Sequence, residues 1–139
     1  MDQNTIITLI RHGETEWNLS GRWQGHADSP LSSRGVEQAK ALGERIKSEK
    51  FDFYYSSDLG RALHTSNLVG EPSGMVAQPY SGLRERDLGV LEGLNTHEME
   101  EAQPEVYTSF RNDGPDFQVP GGESFRQFYE RCLTAIEEL

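Results

Sequence analysis

The chain has 139 residues, 35% of them hydrophobic and 26% charged, enough for one domain around a single core. Its 23 acidic residues outweigh 13 basic ones to give a net charge of −10, which argues against nucleic acid or an anionic membrane as a partner. One cysteine, Cys132, excludes an internal disulfide, and no apolar stretch is long enough for a bilayer span or a signal peptide, so the expected address is cytoplasmic.

Along the chain, strand and helix patterns alternate without repeats, low-complexity segments or a linker, which predicts an α/β fold with a mainly parallel sheet. Thr5 to Ile10 is an apolar, β-branched run without alternation and is predicted as a strand covered on both faces. Gly13 then allows a turn, and Glu14 to Pro30 reads as a loop. Ser32 or Ser33 can cap a helix whose Val36, Ala39, Leu42, Gly43 and Ile46 share a stripe and which ends near Lys50. Phe51 to Ser56 is the second predicted strand, and Asp58 is placed as N-cap of a helix carrying Arg61, Ala62, Thr65 and Leu68.

Gly70 to Gly74 reads as a turn and Met75 to Pro79 as a third strand, ended by its proline. Leu83 to Asn95, with its glycines and dense charge, suggests an active-site loop. Short helical pieces near His97 to Ala102 and Pro104 to Arg111 would form a lid or cover. In the last helix Ser124 and Gln127 make a capping-box pair, and Phe125, Phe128, Tyr129, Cys132, Leu133, Ile136 and Leu139 repeat at helical spacing, a stripe that calls for a sheet to cover.

Chemistry concentrates at Arg11-His12, delivered by the first apolar run into a polar turn. Neutral imidazole is a nucleophile near pH 7, since its unperturbed pKa is about 6.5, and the arginine fork suits phosphate oxygens. The pair suggests a phosphohistidine intermediate. A phosphorylated substrate meets a repulsive global field, so positive charge has to be local, and Arg11, Arg22, Arg61, Arg84 and Arg86 lie in or beside the polar segments. Arg61 is open to two readings, a phosphate ligand or a partner of Asp58. His26, His64 and His97 lack metal-ligand spacing, and one distant cysteine cannot complete a zinc site, so no metal is expected.

Four segments occur in a telling order: Arg11-His12-Gly13-Glu14-Thr15 with Trp17-Asn18; Gly21 to Ser32; Tyr55 to Ala62; and Leu83-Arg84-Glu85. With Gly121-Gly122-Glu123-Ser124 they resemble the histidine phosphatase superfamily, which also holds the cofactor-dependent phosphoglycerate mutases. The resemblance covers nearly the whole chain. It implies a three-layer α/β fold with a mainly parallel sheet flanked by helices, one domain over residues 1–139. It implies His12, Glu85, Arg11 and Arg61 as catalytic groups, with Glu85 protonating the ester's leaving oxygen and then helping to activate water. On composition alone Glu85 would be a solvated surface carboxylate. Asn18, Gln24, Gly25, Ser57 and Arg84 are placed at the substrate, although ordinary loop hydrogen bonding accounts equally well for the first four.

The family's pocket also takes a second histidine from a Ser-His-Gly-like motif after the helix that follows Gly-Gly-Glu-Ser, and this chain stops at Leu139. The chain is therefore read as incomplete at its C-terminus, with unpaired backbone and uncovered apolar surface expected in mid-sheet. The implied function is a phosphomonoester hydrolase acting on a small phosphorylated metabolite. Leu83-Arg84-Glu85 and Asp116 to Ser124 resemble the shorter, broad-specificity phosphatases, whereas Arg86 and Gly93-Leu94-Asn95 are mutase-like. A phosphoglycerate mutase is thus the alternative, the one case needing 2,3-bisphosphoglycerate as primer, and an inactive phosphate-ligand binder is the second alternative. The apolar stripe on the last helix leaves a homo-oligomer open.

Overall fold

Helix α1 (Glu16–Leu19) lies inside a segment expected to be all loop, in a computed structural model that describes residues 5–139. So short a helix holds because Thr15 and Asn18 close a capping box: each side chain accepts from the other's backbone N–H and satisfies donors that would otherwise be orphaned. Of the two serines able to cap the next helix, Ser32 does so, its hydroxyl accepting from Gly35 N–H at 3.0 Å. Helix α2 (Ser33–Ile46) stops short of Lys50. It buries small residues, Gly35, Ala39 and Gly43, against α3 (Gly60–Gly70). A Cβ on Gly43 would stand 2.8 Å from the Val69 carbonyl oxygen, so the two helices meet backbone to backbone there.

Strands β1 (Tyr55–Ser56) and β2 (Gln78–Pro79) pair in parallel, Tyr55 opposite Gln78 and Ser56 opposite Pro79, with α3 in the crossover. Both sit within the expected strands but are much shorter. Asp58 does not cap α3: Leu59 occupies that position without a side-chain bond. The carboxylate of Asp28, brought in from another segment, accepts from Arg61 N–H instead.

The α/β class holds, with helices flanking a small parallel sheet, but the expected strand at Thr5 to Ile10 is not formed. No described residue pairs its backbone, and Ile6 and Leu9 are 88% and 85% exposed. A strand exists only through partners for its N–H and C=O groups, and an apolar run without them stays uncovered.

Past β2, 3-10 turns at Ser81–Leu83 and Gly89–Leu91 carry the chain to α4 (Thr96–Ala102) and α5 (Pro104–Asn112), where the cover was expected. The cover has its own core: Leu88, Leu91, Met99 and Val119 are buried, with Trp23, Val106 and Phe110 packed against them. Helix α6 (Phe125–Glu138) opens with the anticipated Ser124–Gln127 capping box. Its stripe finds no sheet, since Phe125, Tyr129, Leu133 and Ile136 are exposed and Ala135 is its buried residue.

Candidate active site

His12 is seated by the turn that follows it. A Cβ on Gly13 would lie 2.5 Å from the Gly35 carbonyl oxygen, and one on Gly35 would overlap the Glu14 carbonyl, so the chain crosses the first turn of α2 at a distance only glycines permit. Gly13 N–H donates to the Thr65 hydroxyl at 3.0 Å, and that hydroxyl donates to the Arg61 carbonyl at 2.8 Å, tying the turn to α3. The His12 Nδ1 lies 2.7 Å from the Gly13 carbonyl oxygen. A carbonyl only accepts, so Nδ1 carries the proton and Nε2 keeps its lone pair. Burial lowers the His12 pKa below 6.5; the Gly13 carbonyl opposes that, Arg61 and Arg11 add to it, and Glu85 opposes it. The balance favours the neutral ring, with Arg61 and Arg11 lowering its pKa and Glu85 raising it.

Arg61 is 3% exposed. Its NH1 donates to the Ala27 carbonyl and to Asp28 Oδ1, both at 3.0 Å, and its NH2 donates to the Gly25 carbonyl at 2.7 Å. Of the two readings, pairing with Asp58 is set aside; the partner is Asp28. Nε and one NH2 hydrogen have no protein acceptor among the described residues, which leaves an edge of the fork for an oxyanion.

Glu92, which sequence reasoning passed over, fixes the other side of this loop. Its Oε1 accepts from His26 N–H at 2.6 Å and Leu88 N–H at 3.0 Å, and its Oε2 from Ala27 N–H at 2.7 Å. Gly25, with φ of 59°, leaves room for that carboxylate.

The expected substrate contacts divide. Gln24 is buried and its Oε1 accepts from the Thr15 hydroxyl at 3.1 Å, Asn18 Oδ1 is spent in the α1 cap, and Ser57 Oγ accepts from Leu59 N–H at 3.3 Å. Arg84, placed at the substrate from sequence, instead commits its fork: Nε and NH2 donate to the two Asp58 carboxylate oxygens, each at 2.6 Å, and hold that carboxyl below the usual range. Arg22 is likewise spent on Glu98, and Arg86 donates to the Glu123 carbonyl while lying over the Phe110 ring. Of the five arginines first counted as local positive charge, Arg11 and Arg61 are the two whose charge bears on His12.

Glu85 is exposed, its Oε1 accepting from Arg86 N–H at 2.8 Å. Its backbone carbonyl accepts from His26 Nε2 at 3.0 Å and from Arg131 at 3.1 Å, so residues distant in sequence hold the segment that bears it. Among the described residues no group of three or more His, Cys, Asp or Glu side chains could hold a metal ion, and no helix is long and apolar enough to cross a membrane.

The comparisons with known proteins cover nearly the whole chain, His12 included. The chain is 39% identical over 136 residues to phosphoglycerate mutase-like protein 4 of Arabidopsis thaliana, an alignment covering 96% of this chain and 59% of that protein. It is 41% identical over 140 residues to the metal-independent phosphoserine phosphatase of the same plant, covering 97% and 58%. The chain thus spans about three fifths of the length of these curated relatives. Among solved structures, alpha-ribazole phosphatase from Shigella flexneri superposes with a TM-score of 0.87 at 34% identity, covering 92% of this chain and 63% of that one. A mycobacterial glucosyl-3-phosphoglycerate phosphatase does so with a TM-score of 0.80 at 33% identity, covering 92% and 63%. The model of the histidine phosphatase superfamily (branch 1) matches residues 7–139, which contain His12, Arg61 and Glu85. By sequence and by fold, the chain belongs to the histidine phosphatase superfamily.

Proposed function

We propose that this chain carries the nucleophile half of a metal-independent phosphomonoester hydrolase that acts on a small phosphorylated metabolite through a phosphohistidine. The observation that carries the reading is the His12 tautomer, Nδ1 bonded to the Gly13 carbonyl and Nε2 left with its lone pair beside Arg61 and Arg11. Nε2 attacks phosphorus, the ester P–O bond breaks, and Glu85 gives its proton to the departing oxygen. Water then attacks the phosphohistidine and yields its proton to the Glu85 carboxylate, releasing phosphate and restoring His12. The open edge of the Arg61 fork stabilises the equatorial oxygens during both transfers, so positioning and electrostatics replace a metal.

Hydrolysis is preferred over mutase chemistry because the relatives named for phosphatase activity include both a curated protein and solved structures. A mutase-like relative keeps phosphoryl transfer between hydroxyls of a phosphoglycerate, primed by 2,3-bisphosphoglycerate, as the second reading. A cytoplasmic setting and self-association through the exposed face of α6 complete the proposal.

The test is phosphate release from phosphoserine, 3-phosphoglycerate and alkyl phosphates with a chelator present and His12→Ala as control. Chelator-resistant release that disappears in His12→Ala is the expected result, and it should come with acid-labile phosphate on the protein during turnover. Interconversion of phosphoglycerates without net release would favour the mutase. Substrate binding without either reaction would leave a phosphate-ligand binder.

A further inference from the structure

Glu85 is an exposed residue between a 3-10 turn and the cover, and a proton donor so placed needs something to hold its backbone. Helix α6 supplies it. Arg131 reaches across and donates through NH1 to the carbonyls of Gly82 and Arg84, at 2.9 and 3.1 Å, and through NH2 to the carbonyl of Glu85 at 3.1 Å. Its Nε and NH2 also form a two-point pair with the Glu123 carboxylate, both at 2.8 Å. Glu123 in turn accepts from Asp87 N–H at 3.0 Å, and its own N–H donates to the Asp87 carbonyl at 2.9 Å. Gly122 lies so close beneath that a Cβ there would come within 2.5 Å of the same carbonyl.

The segment from 82 to 87 is thus gripped at Gly82, Arg84, Glu85 and Asp87 by one ion pair whose members stand on either side of the α6 N-terminus. An exposed ion pair is worth little in stability, but this pair is about three-quarters buried and its spare donors all fall on one short stretch of backbone. Side-chain to main-chain bonds of that number fix a loop's path more than they stabilise the fold.

We infer that Arg131, braced by Glu123, is a positioning residue that holds Glu85 in place beside His12. This rests on the proposed role of Glu85. It also assigns work to Glu123 of the Gly121-Gly122-Glu123-Ser124 segment.

The sign of one titration separates positioning from bulk charge. The Glu85 carboxylate raises the His12 pKa, so removing or displacing it lowers that pKa, whereas removing a nearby cation would raise it. In NMR titration of the 139-residue chain, His12 of Glu85→Gln should titrate at a lower pH than His12 of the wild type. Arg131→Ala should move in the same downward direction, and should add nothing in the Glu85→Gln background. Should Arg131→Ala fail to fold, Arg131→Gln carries the same readout. A downward shift in Glu85→Gln with an upward shift or none on replacing Arg131 overturns the clamp and leaves the role of Glu85 standing. No shift in Glu85→Gln overturns both.

Discussion

Asp28 meets Arg61 twice, once through the guanidinium at 3.0 Å and once through the backbone N–H at 3.2 to 3.3 Å. One carboxylate therefore caps α3 and neutralises the buried arginine on that helix's first turn. The sequence suggested Asp58 as the cap and left it as one of two readings for Arg61. Asp58 is instead bound to Arg84, and the exchange of partners follows from which loop reaches the helix end.

Asp28→Ala should leave Arg61 buried without its counter-charge and α3 without its cap, at a cost of about 2–4 kcal/mol. Urea unfolding measures it, and a loss below about 0.5 kcal/mol would show that Arg61 relaxes to water without its partner.

Gly35→Ala drives a methyl group into the Glu14 carbonyl oxygen, which belongs to backbone and cannot swing aside. The expected cost is about 2–3 kcal/mol or more, together with displacement of the His12 turn. Phosphate release should fall further than stability alone accounts for, and an activity loss no larger than the stability loss would contradict the displacement of the His12 turn.

His12 titrates below its ordinary 6.5 in the folded chain, chiefly because burial disfavours the imidazolium. Between the folded value and 6.5 the unfolded chain binds more protons than the folded one, so stability rises with pH across that window. This contribution is complete above 6.5 and is lost as pH falls through the folded value. Relative to His12→Asn, the wild-type urea midpoint should drop on acidification across the window, and equal pH dependence in both would contradict it. The acid limb of phosphate release should have its midpoint below 6.5 for the same reason.

Leu91 is fully buried in the cover, whereas Leu19 on α1 is 62% exposed. Leu91→Ala should cost about 2–5 kcal/mol by leaving a cavity beside Met99 and Val119, and Leu19→Ala should stay within about 0.5 kcal/mol. Thermal or urea unfolding of the two variants decides between them, and similar losses would place α1 in a core that the fold does not show.

Local features were legible because their causes lie within a few residues. Ser32 and Ser124 cap their helices in the structure as their positions suggest, Pro79 sits in the last pair of the third expected strand, and the crossover through α3 makes β1 and β2 parallel. The candidate site residues stand out in the sequence because Arg11-His12-Gly13 and Leu83-Arg84-Glu85 are contiguous motifs. What each charge does was not legible. Five arginines look alike as a sequence, but Arg22, Arg84 and Arg86 are spent on Glu98, Asp58 and the Glu123 carbonyl, and Arg61 alone is buried with part of its fork open.

The sequence by itself determined the family, the five longer helices and the two strands that pair, because motifs, caps and apolar periods are short-range properties of the chain. Only the tertiary structure decided that Thr5 to Ile10 is uncovered, that Asp28 and not Asp58 serves Arg61, and that Glu92, Glu123 and Arg131 hold the loops around His12. Pairing between strands and between charges depends on which groups arrive within about 3 Å of each other in space, and sequence separation carries almost none of that information.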